Sequence, residues 1–356
     1  MSTVDKLARE QQVILCAGTG GVGKTTVAAA IGVLAAQAGR RVAVITVDPA
    51  RRLADAIGVE LTNHPQVIPG TWSGELSAMM LDAKATFDDL ITREAGDPGQ
   101  AERILSNRLY QNLSAVLSGT QEFMANEKLF DLHQSGKYDL IVVDTPPTRN
   151  ALDFLEAPDN LIKFLDGKVM RLLFPRQVRR VVNTGLRIML NQISAVVGAR
   201  IVEDASGFLK AFQGMEDGFR QRAKEASALL ASNQTSVVMV TTPRIETAEE
   251  TVWFADQIFA RGLSIGAVVV NRTHPSFSDR SADELADVWD NYGEGPLADG
   301  LGALVDIQMR VESERDAIAF LHERTGSAPI ATVSLLTGDV SDLAGVSTIA
   351  NLLGKT

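Results

Sequence analysis

A glycine-rich stretch near the start of the chain decides the fold: Gly18-Thr19-Gly20-Gly21-Val22-Gly23-Lys24-Thr25-Thr26. It follows the apolar run Val13 to Ala17 and opens an alanine-rich segment, which is the strand, loop and helix order of a phosphate-binding loop. In such a loop the backbone N–H groups face the β-phosphate, Lys24 reaches the β and γ oxygens, and the Thr25 hydroxyl ligates Mg²⁺. The sequence therefore predicts a nucleoside triphosphate bound by Gly20, Gly21, Val22, Gly23, Lys24, Thr25 and Thr26.

Short β-branched runs recur along the chain and predict the strands. They are Val13 to Ala17, Val42 to Val47, Leu140 to Val143, Val237 to Val240 and Ala267 to Val270. Continuous apolar runs are typical of strands buried on both faces of a parallel sheet. Helical patterns separate them, at Thr25 to Gln37, Glu246 to Ala260 and Ser281 to Tyr292. This alternation predicts an α/β fold, a doubly wound, mostly parallel sheet of the P-loop NTPase type, with ligands at the carboxyl ends of the strands.

Two stretches break the alternation. From about Ala83 to Gln134, and again from Pro158 to Ser232, the sequence is helix-forming and has no strand signals. We therefore expect a nucleotide-binding core formed by 1–82, 136–157 and 233–356, and an inserted helical subdomain formed by 83–135 and 158–232.

Composition narrows the class of protein. With 356 residues, 45% hydrophobic and 22% charged, the chain has an ordinary globular composition, and its net charge of −10 argues against nucleic-acid binding. The polar start and the absence of a run of 18 uncharged apolar residues predict a cytoplasmic protein. A single cysteine, Cys16, excludes an intramolecular disulfide, and its place in a strand favours core packing.

Charge is unevenly distributed. Between Asn160 and Val202 there are eight basic residues and one acidic residue, a net charge of +7, so the rest of the chain carries −17. Apolar residues from Phe164 to Leu190 interleave with these cations. Three interpretations stay open: the subdomain's own core with a solvated basic face, a groove for a hydrophobic helical client, or a peripheral contact with an anionic membrane surface.

Two aspartates that follow strands are candidates for chemistry. Asp144 ends Leu140-Ile141-Val142-Val143 and has the form of a Walker B acid, which holds Mg²⁺ directly or through water. Asp48, after Val47, is placed to orient a water for in-line attack, and we predict that it is the catalytic carboxylate. The alternative for Asp48 is an N-cap for a helix that begins at Pro49.

The base can also be predicted. An Asn-Lys-x-Asp guanine reader is absent, whereas Asn271 at the end of a predicted strand can hydrogen-bond an adenine edge bidentately. ATP is therefore favoured over GTP. The alternative is that Asn271 is a turn residue closing the strand.

As a set, these residues resemble the family that includes the arsenite-pump ATPase and the eukaryotic ATPase that delivers tail-anchored membrane proteins, with deviant Walker A loops. Within this family, the chain resembles the actinobacterial arsenite-pump-like branch. Asp48 to Asp55 resembles the family's switch I, Asp144 to Thr148 with Phe154 to Pro158 resembles switch II, and Leu335 to Val340 resembles the adenine loop. The resemblance implies Mg²⁺-dependent ATP hydrolysis, coupled through a dimer switch to a helical surface for a client or a membrane. It also implies a homodimer, or a heterodimer with a paralogous ATPase.

The departures from the family pattern are informative. Thr19 stands where the family has a lysine that reaches the neighbouring subunit's phosphates. Arg51, Arg52 or Arg149 are candidates for the missing positive charge, and we take Arg149 as a candidate catalytic residue. The family's zinc-binding and arsenite-binding cysteines are missing, which disfavours arsenite transport by thiol ligation. Thr19 also keeps open an alternative, a nucleotide-dependent scaffold or regulatory subunit with weak hydrolysis.

Overall fold

A computed structural model describes residues 2–48, 52–108, 110–111, 120–167, 207–208, 210–292, 294–326 and 328–355. The chain divides into two compact units. The core unit comprises Met1–Met80, Ser135–Leu152 and Ala231–Thr356, and the helical unit comprises Leu81–Gln134 and Asp153–Leu230.

The core unit contains one eight-stranded sheet. Its strands are β1 (Val13–Ala17), β2 (Arg41–Thr46), β3 (Gln66–Val67), β4 (Glu75–Met80), β5 (Leu140–Asp144), β6 (Thr235–Thr241), β7 (Ile265–Thr273) and β8 (Ile330–Ser334). Their order is β3-β4-β2-β5-β1-β6-β7-β8, and only β3 pairs antiparallel within the described strands. The predicted fold class, a mostly parallel doubly wound sheet, is confirmed.

The helices lie between these strands and in the helical unit. In the described part of the chain they are α1 (Thr3–Glu10), α2 (Lys24–Gln37), α3 (Arg52–Ile57), α4 (Ala83–Glu94), α5 (Pro98–Leu105), α6 (Thr120–Gln134), α7 (Thr148–Asp166), α8 (Glu216–Leu230), α9 (Ile245–Ala260), α10 (Ala282–Asp290), α11 (Pro296–Arg324) and α12 (Leu343–Leu353).

Helix α2, which carries the phosphate-binding loop on its N-terminus, is buried on almost every side. It packs against α12 and against the strands beneath it, which explains why its sequence is apolar all round rather than amphipathic. A Cβ at Gly32 would lie 2.6 Å from Val44 Cγ2, so a glycine is required for this close approach of helix to sheet. The loop is therefore fixed on the centre of the sheet, beside β1.

The five predicted strands are all present, and three further strands, β3, β4 and β8, were not predicted. Strand β7 is also longer than predicted, so Asn271 lies inside the strand rather than in a turn that closes it. The predicted helix at Ser281 is present as α10, with Ser281 and Glu284 forming a capping box. Cys16 is fully buried in β1, as expected of a core residue.

The helical unit has its own apolar core, formed by residues such as Leu90, Ile104, Tyr110, Met215 and Phe219. Of the surface predicted from Phe164 onwards, Leu165 joins this core and Phe164 is exposed. The rest of that predicted surface, from 168 to 202, lies outside the described residues. Every helix in the described part of the chain is too short or too polar to cross a bilayer.

Candidate nucleotide and magnesium site

The phosphate-binding loop depends on glycines at points where a side chain cannot fit. Gly23 caps α2 with a left-handed backbone (φ 98°), and a Cβ there would lie 2.3 Å from Asn271 Nδ2. A Cβ at Gly18 would lie 2.0 Å from the Val240 carbonyl oxygen. No side chain caps the start of α2, so its first N–H groups and the positive end of its dipole are available to an anion.

Lys24 is held inside this loop. Its side chain is buried, and Nζ donates a hydrogen bond of 2.8 Å to the Thr19 carbonyl oxygen. Burial lowers the pKa of the Lys24 ammonium, and the Asp144 charge partly offsets that effect. The ammonium is thus desolvated and bound only to a neutral carbonyl oxygen in the hydrogen bonds that the structure describes, an arrangement in which a phosphate would be the stronger partner.

Asp144 ends β5 directly beneath the loop. Its Oδ2 accepts hydrogen bonds from Thr25 Oγ1 at 2.7 Å and from Thr46 Oγ1 at 2.9 Å. Its Oδ1 is buried and has no hydrogen-bond partner among the described residues. Burial raises the pKa of the Asp144 carboxyl from 3.8 to about 6, although two hydroxyl hydrogen bonds and the Lys24 charge lower it. A buried carboxylate with one unpaired oxygen, beside a threonine hydroxyl, fits a divalent cation.

The donor set suits magnesium rather than a transition metal. In the ranges that the structure describes, no group of three or more His, Cys, Asp and Glu side chains is arranged to hold a metal ion. Mg²⁺ needs only one or two protein oxygens, because water and substrate phosphates complete its octahedral shell. Thr25 and Asp144 can supply those oxygens, so the predicted cofactor fits the residues present.

Asp48 lies close enough to Lys24 and Asp144 for its charge to affect both pKa values. Its carboxylate is a quarter exposed and faces Arg52 Nη1 at 3.7 Å. The described helix α3 begins at Arg52, and residues 49–51, including Arg51, lie outside the described residues. Arg149 is in the first turn of α7, but its side chain is not among those described. Of the three candidate arginines, Arg52 is therefore the one with a described contact.

Asn271 contacts the loop directly, which the sequence did not indicate. Its Nδ2 donates a 2.8 Å hydrogen bond to the Val22 carbonyl oxygen, and the side chain is buried. The next residue, Arg272, has a left-handed backbone (φ 66°), at the point where the register between β7 and β8 shifts. Asn271 thus ties the end of β7 to the phosphate-binding loop.

A cavity of about 690 Å³ opens beside the tip of the loop. Gly20, Gly21 and Val22 line it together with Leu335 from the predicted adenine loop. A Cβ at Gly20 or Gly21 would meet no atom within 4 Å, so the loop backbone faces open space here. The volume lies within the range of small-molecule and cofactor sites.

Proteins of a known family resemble this chain in sequence. The family model described as "Anion-transporting ATPase" matches residues 11–291. An "ATPase ASNA1 homolog" from Entamoeba dispar is 25% identical over 74% of this chain and 76% of its own length. Proteins named "ATPase get3" from Aspergillus terreus and Neurospora crassa are 33% and 32% identical over 43% and 46% of this chain, and 44% and 48% of their own lengths.

The family match covers most of the chain, including the phosphate-binding loop, both aspartates and Asn271. It confirms the resemblance inferred from the motifs, and with it the prediction that the protein is an ATP hydrolase. The chain therefore belongs to the anion-transporting ATPase family.

Proposed function

We propose that the chain uses Mg²⁺ and ATP to drive a dimer switch, which gates a helical surface for a hydrophobic client helix or an anionic membrane. The single observation that carries the proposal is the unpaired, buried Oδ1 of Asp144 beside Thr25, at the foot of the phosphate-binding loop. Among the described residues no hydrogen bond satisfies that oxygen, and a nucleotide-bound cation would.

The residues of the loop and its neighbours have separate roles in this proposal. Thr25 and Asp144 hold Mg²⁺, which when bound neutralises charge on the phosphate oxygens. Lys24 exchanges the Thr19 carbonyl for the β and γ oxygens, and the N–H groups from Gly20 to Thr26 hold the β-phosphate. Asn271 reads the adenine edge with the amide groups that its bond to Val22 leaves available.

Asp48 orients the attacking water. Its carboxylate is partly exposed and close enough to Lys24 for the two charges to interact. It can therefore accept a hydrogen bond from a water that is aligned with the γ-phosphate. Arg149 or Arg52 neutralises the charge that develops on the transferring phosphoryl group. The Arg52 ion pair with Asp48 would then have to open when nucleotide binds.

The chain connection after Asp144 supports the proposed coupling to the client surface. Thr145 Oγ1 donates to the Cys16 carbonyl oxygen at 2.8 Å, which ties the residue after Asp144 to β1. The chain then enters α7, whose residues belong to the core unit up to Leu152 and to the helical unit from Asp153. In the proposal, loss of the γ-phosphate changes the segment after Asp144, which leads into the start of α7. Equal hydrogen exchange of α7 with ADP and with a non-hydrolysable ATP analogue would contradict this coupling.

The dimer is a homodimer or a heterodimer with a paralogous ATPase. The alternative function, a scaffold subunit with weak hydrolysis, is favoured by one observation: Thr19, in the place of the family lysine, is buried, and its Oγ1 has no hydrogen-bond partner among the described residues. No cation can act from that position.

Steady-state Mg·ATP turnover of the purified chain tests the proposal, with Lys24→Ala, Asp48→Asn and the oligomeric state measured on the same samples. Asp55→Asn is the matched control, because Asp55 is an exposed carboxylate in α3 of the same switch segment. We expect both site variants to abolish turnover and Asp55→Asn to keep it. Tight ATP binding with turnover no greater than that of Lys24→Ala would favour the scaffold instead.

Vesicle binding distinguishes a membrane-binding surface from a surface for a helical client. Neutralising Arg176, Arg179 and Arg180 together should abolish binding to anionic liposomes if the basic segment contacts lipid. Absence of liposome binding by the unmodified protein would exclude the membrane as the partner and favour the helical client.

A further inference from the structure

The cavity beside the phosphate-binding loop is rich in arginine. Besides Gly20 and Gly21, its lining includes Arg244 just before α9, Arg272 in β7 and Arg310 in α11. The start of α9 also faces it, at Ile245, with no side chain capping the helix. None of these cations was predicted as part of the site, because they are far apart in the sequence and belong to no motif.

The acidic groups of this cavity are already engaged. Glu314 is buried, and it accepts hydrogen bonds from the His274 backbone N–H at 2.8 Å and contacts His274 Nδ1 at 2.6 Å. Glu246 pairs with Arg244 at 3.7 Å, an exposed and weak contact. The cavity therefore keeps two arginines, Arg272 and Arg310, for which the described part of the chain provides no ion pair or side-chain hydrogen bond.

The backbone of Arg272 adds a second observation. A φ of 66° is unfavourable for a residue with a side chain, and in the described residues Arg272 is the only non-glycine that adopts it. The conformation coincides with the register shift between β7 and β8, next to the Asn271 bond to Val22. A glycine would adopt this backbone without strain, so the arginine carries a cost in stability, as residues that act in a site often do.

We propose that Arg272, together with Arg310, binds the phosphate chain of a nucleoside polyphosphate in the cavity at the tip of the phosphate-binding loop. This inference rests on the proposed function, since it assigns residues to the same nucleotide. The phosphate belongs either to the nucleotide held by the same chain or to one carried by a second copy. A guanidinium is suited to this task because its planar donors can engage two phosphate oxygens at once.

The remaining lining supports a nucleotide rather than an isolated inorganic ion. Val22, Ile245 and Leu335 add apolar surface to a volume of about 690 Å³, which exceeds the space that a single phosphate needs. The cations and the apolar side chains share one cavity, and the N–H groups of Gly20 and Gly21 open into it. A ligand with both a charged chain and a planar apolar part matches this lining.

The test is binding of Mg²⁺-free ADP, inorganic tripolyphosphate and adenosine to the full chain, measured by calorimetry. The decisive variant is Arg272→Gly, which removes the guanidinium and also suits the left-handed backbone. Loss of a charge-assisted contact should weaken ADP and tripolyphosphate binding by about tenfold or more. Adenosine binding should be unchanged, and the thermal midpoint should be equal to that of the unmodified protein or higher.

Two variants on α11 control for the possibility that Arg272→Gly acts by changing the backbone. Arg310→Ala should weaken tripolyphosphate binding as Arg272→Gly does, whereas Arg315→Ala should not. Arg315 is an exposed arginine on the same helix, α11, outside the cavity lining. Arg272→Lys should recover part of the affinity. Tripolyphosphate binding equal to that of the unmodified protein in both Arg272→Gly and Arg310→Ala would overturn the inference.

Lys24→Ala distinguishes this failure from failure of the proposed function. If ATP binding needs Lys24 but not the two arginines, the proposed function stands and the inference is wrong. If the unmodified chain binds no ATP, the proposed function fails, and the arginine cavity is judged by tripolyphosphate alone. An equimolar mixture of Arg272→Gly and Lys24→Ala identifies the source: recovered turnover assigns the phosphate to a second copy, and no recovery assigns it to the same chain.

Discussion

Two buried carboxylates, Glu127 in the helical unit and Asp144 in the core unit, have opposite surroundings. Glu127 accepts hydrogen bonds from Arg222 Nε at 2.9 and 3.1 Å and faces Arg93 Nη1 at 3.4 Å. Asp144 accepts only from two neutral hydroxyls, and its Oδ1 has no partner in the described part of the chain. Burial raises the pKa of both groups, but only Glu127 has its charge compensated by direct cation contacts.

The difference distinguishes Glu127, whose charge is compensated within the fold, from Asp144, which binds a ligand in the proposed function. A buried charge without a partner costs free energy, so a fold keeps it only where something else will neutralise it. In the helical unit that partner is built into the fold as Arg222, which also packs over the Phe130 ring. We propose that Mg²⁺ is the partner at Asp144, so that the nucleotide-free protein bears the cost of the unpaired carboxylate.

The largest expected effect concerns Glu127, the carboxylate that is paired with cations. Arg222→Met removes the main partner of Glu127 and should lower the free energy of unfolding by about 3–5 kcal/mol, because it leaves a buried carboxylate poorly paired. Urea denaturation measures the change. Arg220→Met is the control on the same helix: its partners Asp166 and Asp217 are exposed, so about 1 kcal/mol or less is expected. Equal losses from the two variants would show that Glu127 does not depend on its cation.

At Asp144, whose charge has no direct cation partner among the described residues, a neutral substitution should stabilise the nucleotide-free protein. Asp144→Asn removes a buried charge, and it should raise the unfolding free energy of the nucleotide-free protein at pH 7 by about 2–3 kcal/mol, the equivalent of the pKa shift. Asp139→Asn is the control just before the same strand, where hydrogen bonds from Arg41 lower the pKa of the carboxyl. That variant should lose a little stability instead. Destabilisation by Asp144→Asn would mean that the carboxylate is compensated after all.

The same shift predicts a pH dependence with a definite sign. The pKa of Asp144 is about 6 in the folded chain and 3.8 when unperturbed, so the folded state binds the extra proton between these values. Its contribution to stability is fully present below pH 3.8 and is lost as the pH rises through about 6. Relative to Asp144→Asn, the unmodified nucleotide-free protein should therefore lose stability across this window. Parallel stability profiles for the two proteins would be inconsistent with a raised pKa.

The smallest expected effect concerns one hydroxyl. Thr46→Val keeps the shape of a fully buried side chain but removes its hydrogen bond to Asp144 Oδ2, which should cost about 1 kcal/mol and raise the carboxyl pKa further. Thr241 is a buried threonine in β6 whose hydroxyl donates only to backbone carbonyl oxygens in the described contacts. Thr241→Val should have a similar cost without moving the pKa of Asp144. Carboxyl titration by ¹³C NMR separates the two.

Much of the fold and of the loop follows from local sequence. The runs that became β1, β2, β5, β6 and β7 are buried on both faces, so their apolar character is continuous and easily recognised. The strands that were missed differ in this respect. In β8 burial is only partial and alternates along five residues, and β4 includes the polar Ser77 in its buried run, so neither gives the same signal.

The rest of the site is set by tertiary structure. Nothing local in the sequence indicates that Asn271 bonds to Val22, because the contact joins residues 249 positions apart. Likewise, the left-handed backbone of Arg272 arises from a register shift between two strands, and arginine has no intrinsic preference for it. The spacing of Asp144 from Thr25 shows the same limit: the motifs predicted each residue, and only the fold brings the two within 2.7 Å.

The most direct test of the account is ADP affinity with and without Mg²⁺, measured by calorimetry on the unmodified chain and on Asp144→Asn. Because Asp144 is proposed to complete the magnesium site, Mg²⁺ should strengthen ADP binding to the unmodified chain by about tenfold or more, and the gain should vanish in the variant. An Asp144→Asn variant that keeps the full magnesium-dependent gain would contradict the account.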